Sequence, residues 1–97
     1  MNSQQRLRSV RKFCKELAAE FPEAKITEHR AGKNKTGRYM TSHAGVELGK
    51  FQIIVMPCAH VMGVFCEIYA NPAYVKIGNN CVSVGVPQLK DALKKYL

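Results

Sequence analysis

The residues best suited to chemistry form a cluster of cations in a short polar segment. Nine consecutive residues hold four basic side chains and no acidic one, namely Arg30, Lys33, Lys35 and Arg38. Gly32 and Gly37 would let the backbone approach a ligand closely, and Tyr39 follows with a ring on which a nucleobase can stack. Clustered cations neutralise phosphates, so the segment predicts contact with a polyanion. The alternative is a solvent-exposed hairpin loop without a ligand. The order of residues does not match a P-loop, which argues against nucleotide hydrolysis.

A second set of cations lies on one flank of a predicted helix between Ser3 and Phe21. The helix is indicated by apolar residues that alternate at spacings of three and four, namely Leu7, Val10, Cys14, Leu17 and Phe21. Ser3 is the predicted N-cap, and Pro22 ends the helix. At about 100° per residue, one flank carries Arg8, Arg11, Lys12 and Lys15. Glu16 and Glu20 fall on the other flank, so the basic groups outnumber the acids close to them.

Three histidines allow an enzymatic alternative. His29, His43 and His60 could supply the general acid and base of a small metal-independent nuclease. Nothing in their spacing requires that they meet, and a histidine at the margin of a strand is more often exposed or structural. We therefore expect no catalytic residue and keep the nuclease as the lesser alternative.

The cysteines predict neither a metal site nor a disulfide framework. Cys58 and His60 are close in sequence, with Cys66 and Cys81 further on, but the paired CxxC knuckles of a structural zinc site are missing. With Cys14, most of the cysteines lie in apolar runs, and the polar, basic N-terminus has no signal-peptide core. We expect reduced thiols in a cytoplasmic protein without metal or cofactor. No apolar run reaches the roughly 18–20 residues of a membrane span.

The remaining elements predict a sheet closed by a second helix. We expect strands at 25–30, 39–43, 51–56 and 61–70, a turn at 44–50, a hairpin of 74–77 with 81–84, and a helix at 87–97. Gly78-Asn79-Asn80 is the expected hairpin turn. Pro87 lies at the first turn of the last helix, whose apolar stripe is Leu89, Ala92, Leu93 and Tyr96.

These elements predict a single α+β domain over residues 1–97. The N-terminal helix is followed by an antiparallel meander of four to five strands and then by the C-terminal helix, with both helices on one face of the sheet. In its helix–meander–helix order the chain resembles the double-stranded-RNA-binding fold and the small toxin ribonucleases of that topology. The resemblance covers topology alone, because the GPxH loop and the KKxAK helix start are absent.

The distribution of charge decides the function that we expect. The formal net charge is +8, and residues 1–38 hold ten basic residues against four glutamates. We expect a small binding module that contacts the backbone of RNA or DNA through the first helix and the 30–38 loop, with little sequence specificity. The alternative partner of the same surface is an acidic protein or a nucleoprotein complex, as for a phage-type inhibitor or adaptor. A homodimer through a free sheet edge is also open.

Overall fold

A computed structural model describes residues 2–33 and 35–95 of the chain. The helices are α1 (Ser3–Glu20) and α2 (Val86–Lys94). The strands, in chain order, are β1 (Lys25–His29), β2 (Gly32–Lys33), β3 (Tyr39–Met40), β4 (His43–Leu48), β5 (Phe51–Pro57), β6 (Val64–Ala70) and β7 (Ala73–Ile77). Neither described helix is both long and apolar enough to cross a membrane.

The first helix begins one residue earlier than the sequence suggested. Asn2, not Ser3, is the N-cap, and its side chain accepts from the backbone N–H of Gln5 at 2.9 Å. Gln5 returns the contact, because its side-chain oxygen accepts from the N–H of Asn2 at 3.1 Å. This reciprocal capping box needs Glu or Gln three residues after the cap, and Asn2 has Gln5 at that spacing whereas Ser3 has Arg6. The helix ends as expected just before Phe21 and Pro22.

The sheet is antiparallel, with the strand order β1-β4-β5-β6-β7. Its register aligns one row of aliphatic side chains across all five strands: Ile26, Val46, Ile53, Ile68 and Val75. This row faces the hydrophobic core, where Val10 and Leu17 of α1 and Leu89 of α2 are buried. Both helices therefore cover one face of the sheet, which confirms the predicted α+β class.

The turn predicted at 44–50 is wrong, because most of that segment is β4. Ala44, Val46 and Leu48 alternate with less buried residues and point into the core. Gly45 lies on the opposite face, where a missing side chain does not weaken the core. Pairing with β1 and β5 on both sides satisfies the backbone and overrides the poor strand propensity of glycine. Only Gly49 and Lys50 form the turn.

The hairpin predicted between 74–77 and 81–84 is also wrong. Segment 74–77 lies within β7, which pairs with β6 instead. Gly78 has φ of +75° and turns the chain away, and the following residues form only isolated bridges, Asn79 with Val82 and Val84 with Val64. Val82 is 54% exposed, so it does not share the core face as predicted. The Gly-Asn-Asn sequence does encode a turn, but the chain after it leads to α2.

The C-terminal helix closes the core. Pro87 lies in its first turn, and Leu89, Ala92 and Leu93 are buried as the apolar stripe predicted. Tyr96, the last member of that stripe, lies outside the described residues. Lys90 donates to a carboxylate oxygen of Glu20, which ties α2 to the end of α1.

Candidate nucleic-acid interface

The solvent face of α1 carries three of the predicted contact residues. Arg8, Lys12 and Lys15 are exposed and lie opposite the buried stripe of the helix. None of the three forms an ion pair with another residue in the described part of the chain. Their charges are therefore available to an external anion. Long cationic side chains that point into water are suited to phosphate groups, whose recognition needs charge more than fixed geometry.

Arg11, the fourth helix cation, is engaged within the protein. Its Nε and Nη2 atoms lie 2.9 and 2.8 Å from the two carboxylate oxygens of Glu28 on β1. Arg30 is 3.7 Å from the same carboxylate. The hydrogen bond from Arg11 lowers the pKa of Glu28 below its usual value, so the carboxylate is ionised at neutral pH. Glu28 thus joins the helix to the base of the 30–38 segment and partly neutralises both arginines.

The predicted 30–38 loop is largely a short hairpin. Strands β2 and β3 pair Lys33 with Tyr39, and Tyr39 is 60% exposed. Lys33, Lys35 and Arg38 are all exposed around the tip. At the base, the N–H of Ala31 donates to the hydroxyl of buried Ser42 at 3.0 Å. The hairpin therefore displays a cation and an aromatic ring side by side, an arrangement that suits a phosphate and a neighbouring base.

Two of the three histidines meet, which their spacing in the sequence did not reveal. His29 and His43 are cross-strand partners at the end of β1 and the start of β4, with stacked rings whose centroids are 4.8 Å apart. The Nδ1 of His43 lies 2.9 Å from the carbonyl oxygen of Thr41, a contact in which Nδ1 must be the donor. His60 lies elsewhere, in the segment after β5, where its backbone N–H donates to the backbone carbonyl of Asn80.

The face of the sheet opposite the helices contains a second aromatic group. Tyr69 and Tyr74 are cross-strand partners on β6 and β7, with ring centroids 4.9 Å apart. They are 39% and 50% exposed. Both tyrosines lie in segments predicted as strands, 61–70 and 74–77, but their meeting was missed because 74–77 was expected to pair with 81–84 and pairs with β6 instead. Residues of this face were not among the predicted contact residues.

The thiols and acids of the described residues offer no metal site. No group of three or more histidine, cysteine, aspartate or glutamate side chains is placed to hold an ion within residues 2–33 and 35–95. Cys14, Cys58 and Cys66 are buried free thiols, and Cys81 is exposed. Burial raises the pKa of Cys66 to about 12 and that of Cys14 to about 11, so both stay protonated and unreactive.

Comparison with known proteins found no relative of this chain. No protein-family model matches it, and no curated protein or solved structure matches it either.

Proposed function

We propose that the protein is a small binding module that contacts the backbone of RNA or DNA through the solvent face of α1 and the β2–β3 hairpin. The observation that carries the proposal is the fate of the nearby carboxylates. Glu20 is held by Lys90, and Glu28 is held by Arg11 and Arg30. Among the described residues, none of Arg8, Lys12, Lys15, Lys33 and Lys35 forms an ion pair.

The geometry favours backbone contact over the reading of bases. Lys12, Lys15, Lys33 and Lys35 are exposed, and a lysine ammonium binds phosphate as a point charge. A base-reading arginine needs a fixed, bidentate orientation, whereas the oriented guanidinium of Arg11 already faces Glu28. Little discrimination among sequences follows from such a surface.

The test is binding to a labelled nucleic acid as a function of salt. Affinity should fall steeply as salt rises, because each neutralised phosphate releases a counterion. The double variant Lys33→Glu with Lys35→Glu should abolish binding. Its matched control is Lys94→Glu with Lys95→Glu, which makes the same change of charge at the far end of α2 and should retain most of the affinity. A flat response to salt, or equal loss in both variants, would overturn the proposal.

The same surface could meet an acidic protein, and the experiment separates the two partners. A partner captured with the purified protein and retained after nuclease treatment would point to a protein or to the protein part of a nucleoprotein complex. Loss of the captured material after nuclease treatment supports direct contact with nucleic acid.

A second candidate, a metal-independent nuclease, is favoured by the pairing of His29 with His43. The contact of Nδ1 with Thr41 orients the ring of His43, and with Nδ1 as donor its Nε2 is the atom that would act as a general base in the neutral ring. Labelled RNA and DNA would be incubated with the protein in the presence of a chelator. Cleavage that disappears in both His43→Ala and His29→Ala would support this candidate, and absence of cleavage would remove it.

A further inference from the structure

We propose that the open face of the sheet is a stacking platform for unpaired bases, so that the partner is a single-stranded nucleic acid. This inference rests on the proposed function and specifies its substrate. The helices cover the other face of the sheet, whereas on this face Glu47, Gln52 and Tyr69 form an exposed cross-strand row over β4, β5 and β6. The exposed chemistry of the open face therefore needs its own explanation.

The first step is the tyrosine pair at one corner of the platform. Tyr69 and Tyr74 touch at an interplanar angle of 46°, so their rings do not lie flat on each other and each leaves a surface exposed. The hydroxyl of Tyr74 donates to Glu67 at 2.7 Å, which fixes the ring and occupies the carboxylate. A fixed, exposed ring is what base stacking requires, and stacking tolerates any base because every base has a π face.

The second step is the depression that leads away from the tyrosines. A hollow of about 450 Å³ lies over Gly45, where the absent side chain leaves space between β1 and β5. A hollow of about 600 Å³ lies beside Tyr69 and Tyr74. Gln52 lines both hollows, so they adjoin each other on the open face. The carboxamide of Gln52 offers a donor and an acceptor to the edge of a base.

The third step is continuity with the hairpin. His29 and His43 lie where the chain leaves β1 for the hairpin and returns to β4, and the Nε2 atom of His29 is 3.8 Å from the position that a Cβ on Gly45 would occupy. A single-stranded nucleic acid that is bound at Lys33 and Tyr39 can therefore continue past the stacked imidazoles into the hollow over Gly45. This route runs from the cationic hairpin to the tyrosines without crossing either helix.

The charged side chains of the open face also bear on the choice of partner. Lys25 and Lys76 belong to the strand rows of the open face, where the acids are Glu47 and Glu67. Each of these acids has a lysine as its cross-strand partner, Lys25 for Glu47 and Lys76 for Glu67, so the four charges sum to zero and the face has no excess of negative charge from them. Duplex bases are already paired and stacked on each other, whereas the bases of a single strand are free to lie on protein rings. The platform therefore favours a single strand over a duplex.

The test compares a short labelled oligouridine with a duplex of equal length. In the variant Tyr69→Ala with Tyr74→Ala, affinity for oligouridine should fall by about tenfold or more, since stacking contributes about 1–3 kcal/mol per base. The slope of affinity against salt should stay unchanged, because no charge is removed. Tyr69→Phe keeps the ring and should keep the affinity. The chain has four tyrosines and no tryptophan, so the part of the quenching by oligouridine that is lost in the alanine variant reports stacking on Tyr69 and Tyr74.

The outcomes separate the two proposals. Unchanged affinity in the alanine variant, with binding still abolished by Lys33→Glu with Lys35→Glu, would overturn the platform and leave the proposed function standing. Tighter binding of the duplex than of oligouridine would do the same. No binding of either nucleic acid would overturn the proposed function. If Tyr69→Phe also lost affinity, the hydroxyl and not the ring would make the contact, which would overturn stacking; if the alanine variant changed the sedimentation of the free protein, the face would be a self-association surface.

Discussion

Arg11 and Glu28 bind each other through two hydrogen bonds, of 2.9 and 2.8 Å, across seventeen positions of sequence. The pair fixes α1 against the edge strand of the sheet. It also keeps a carboxylate at the centre of the cationic surface, beside Arg30. Glu28 should therefore act in opposite directions on stability and on binding.

The first prediction concerns stability in acid. Arg11 lowers the pKa of Glu28, so the stabilisation is present above the usual glutamate pKa and is lost as the pH falls through the lowered value. Glu28→Gln should lower the melting temperature at neutral pH, and its difference from the native chain should vanish in strong acid. Thermal melts across the acid range measure this. Glu23→Gln, at an exposed site without an ion pair among the described residues, is the control and should show no such convergence.

The second prediction concerns the same substitution in a binding assay. Glu28→Gln removes a negative charge and releases both arginines, so affinity for nucleic acid should rise at low salt. The slope of affinity against salt should become steeper, by up to about 0.9 for each additional phosphate contacted by a released arginine. Fluorescence anisotropy at several salt concentrations measures both. A fall in affinity would show that Glu28 orients the arginines instead of masking them.

The third prediction concerns two glycines with left-handed backbone. Gly37 at the hairpin has φ of +81° and open space around it, whereas Gly78 after β7 has φ of +75° and a Cβ there would lie 2.6 Å from the carbonyl oxygen of Val82. Gly37→Ala should lower the free energy of unfolding by about 1–2 kcal/mol, the strain of the backbone alone. Gly78→Ala should lower it further, because the clash is with backbone. Urea unfolding of both variants measures the difference, and equal effects would contradict it.

The fourth prediction concerns the thiols. A thiol-specific reagent such as Ellman's reagent should label one cysteine of the folded protein quickly, and that one should be Cys81. Cys14 and Cys66 are protected by burial and by pKa values of about 11 and 12. Cys58 is buried, and its thiol donates to the carbonyl of Asn79. Cys81→Ser should remove the fast reaction, and denaturant should expose the remaining three.

The elements that the sequence predicted are those whose structure depends on a local pattern of residues. The spacing of Val10, Cys14 and Leu17 defines α1 without reference to any other part of the chain, and FQIIVM at 51–56 is apolar enough to require a central strand. β4 was missed because Gly45 and Gly49 indicate a turn when pairing is ignored. Its strand character comes from its partners on both sides, and those partners are distant in sequence.

The residues of the candidate site likewise fall into two groups, those that the sequence alone indicates and those whose contacts depend on the fold. Clusters of cations are visible in the sequence, so Lys12, Lys15, Lys33 and Lys35 could be chosen without a structure. The ion pair between Arg11 and Glu28 could not be predicted from the sequence, because both residues are exposed and the contact depends on how α1 lies against β1. The meeting of His29 with His43 likewise depends on the strand register, which the hairpin between them fixes.

The β2–β3 hairpin leaves the sheet at His29 and returns at His43, and these two residues face each other directly. Among the described residues of the excursion between them, only the polar Ser42 at its base is buried, and none belongs to the hydrophobic core. The hairpin is therefore an insertion into a sheet whose core is formed by other elements. Its length and composition can drift, or be exchanged by an engineer for another turn, while the five-stranded sheet stays in register. If the proposed function holds, partner preference could therefore be altered in the hairpin without altering the fold that carries it.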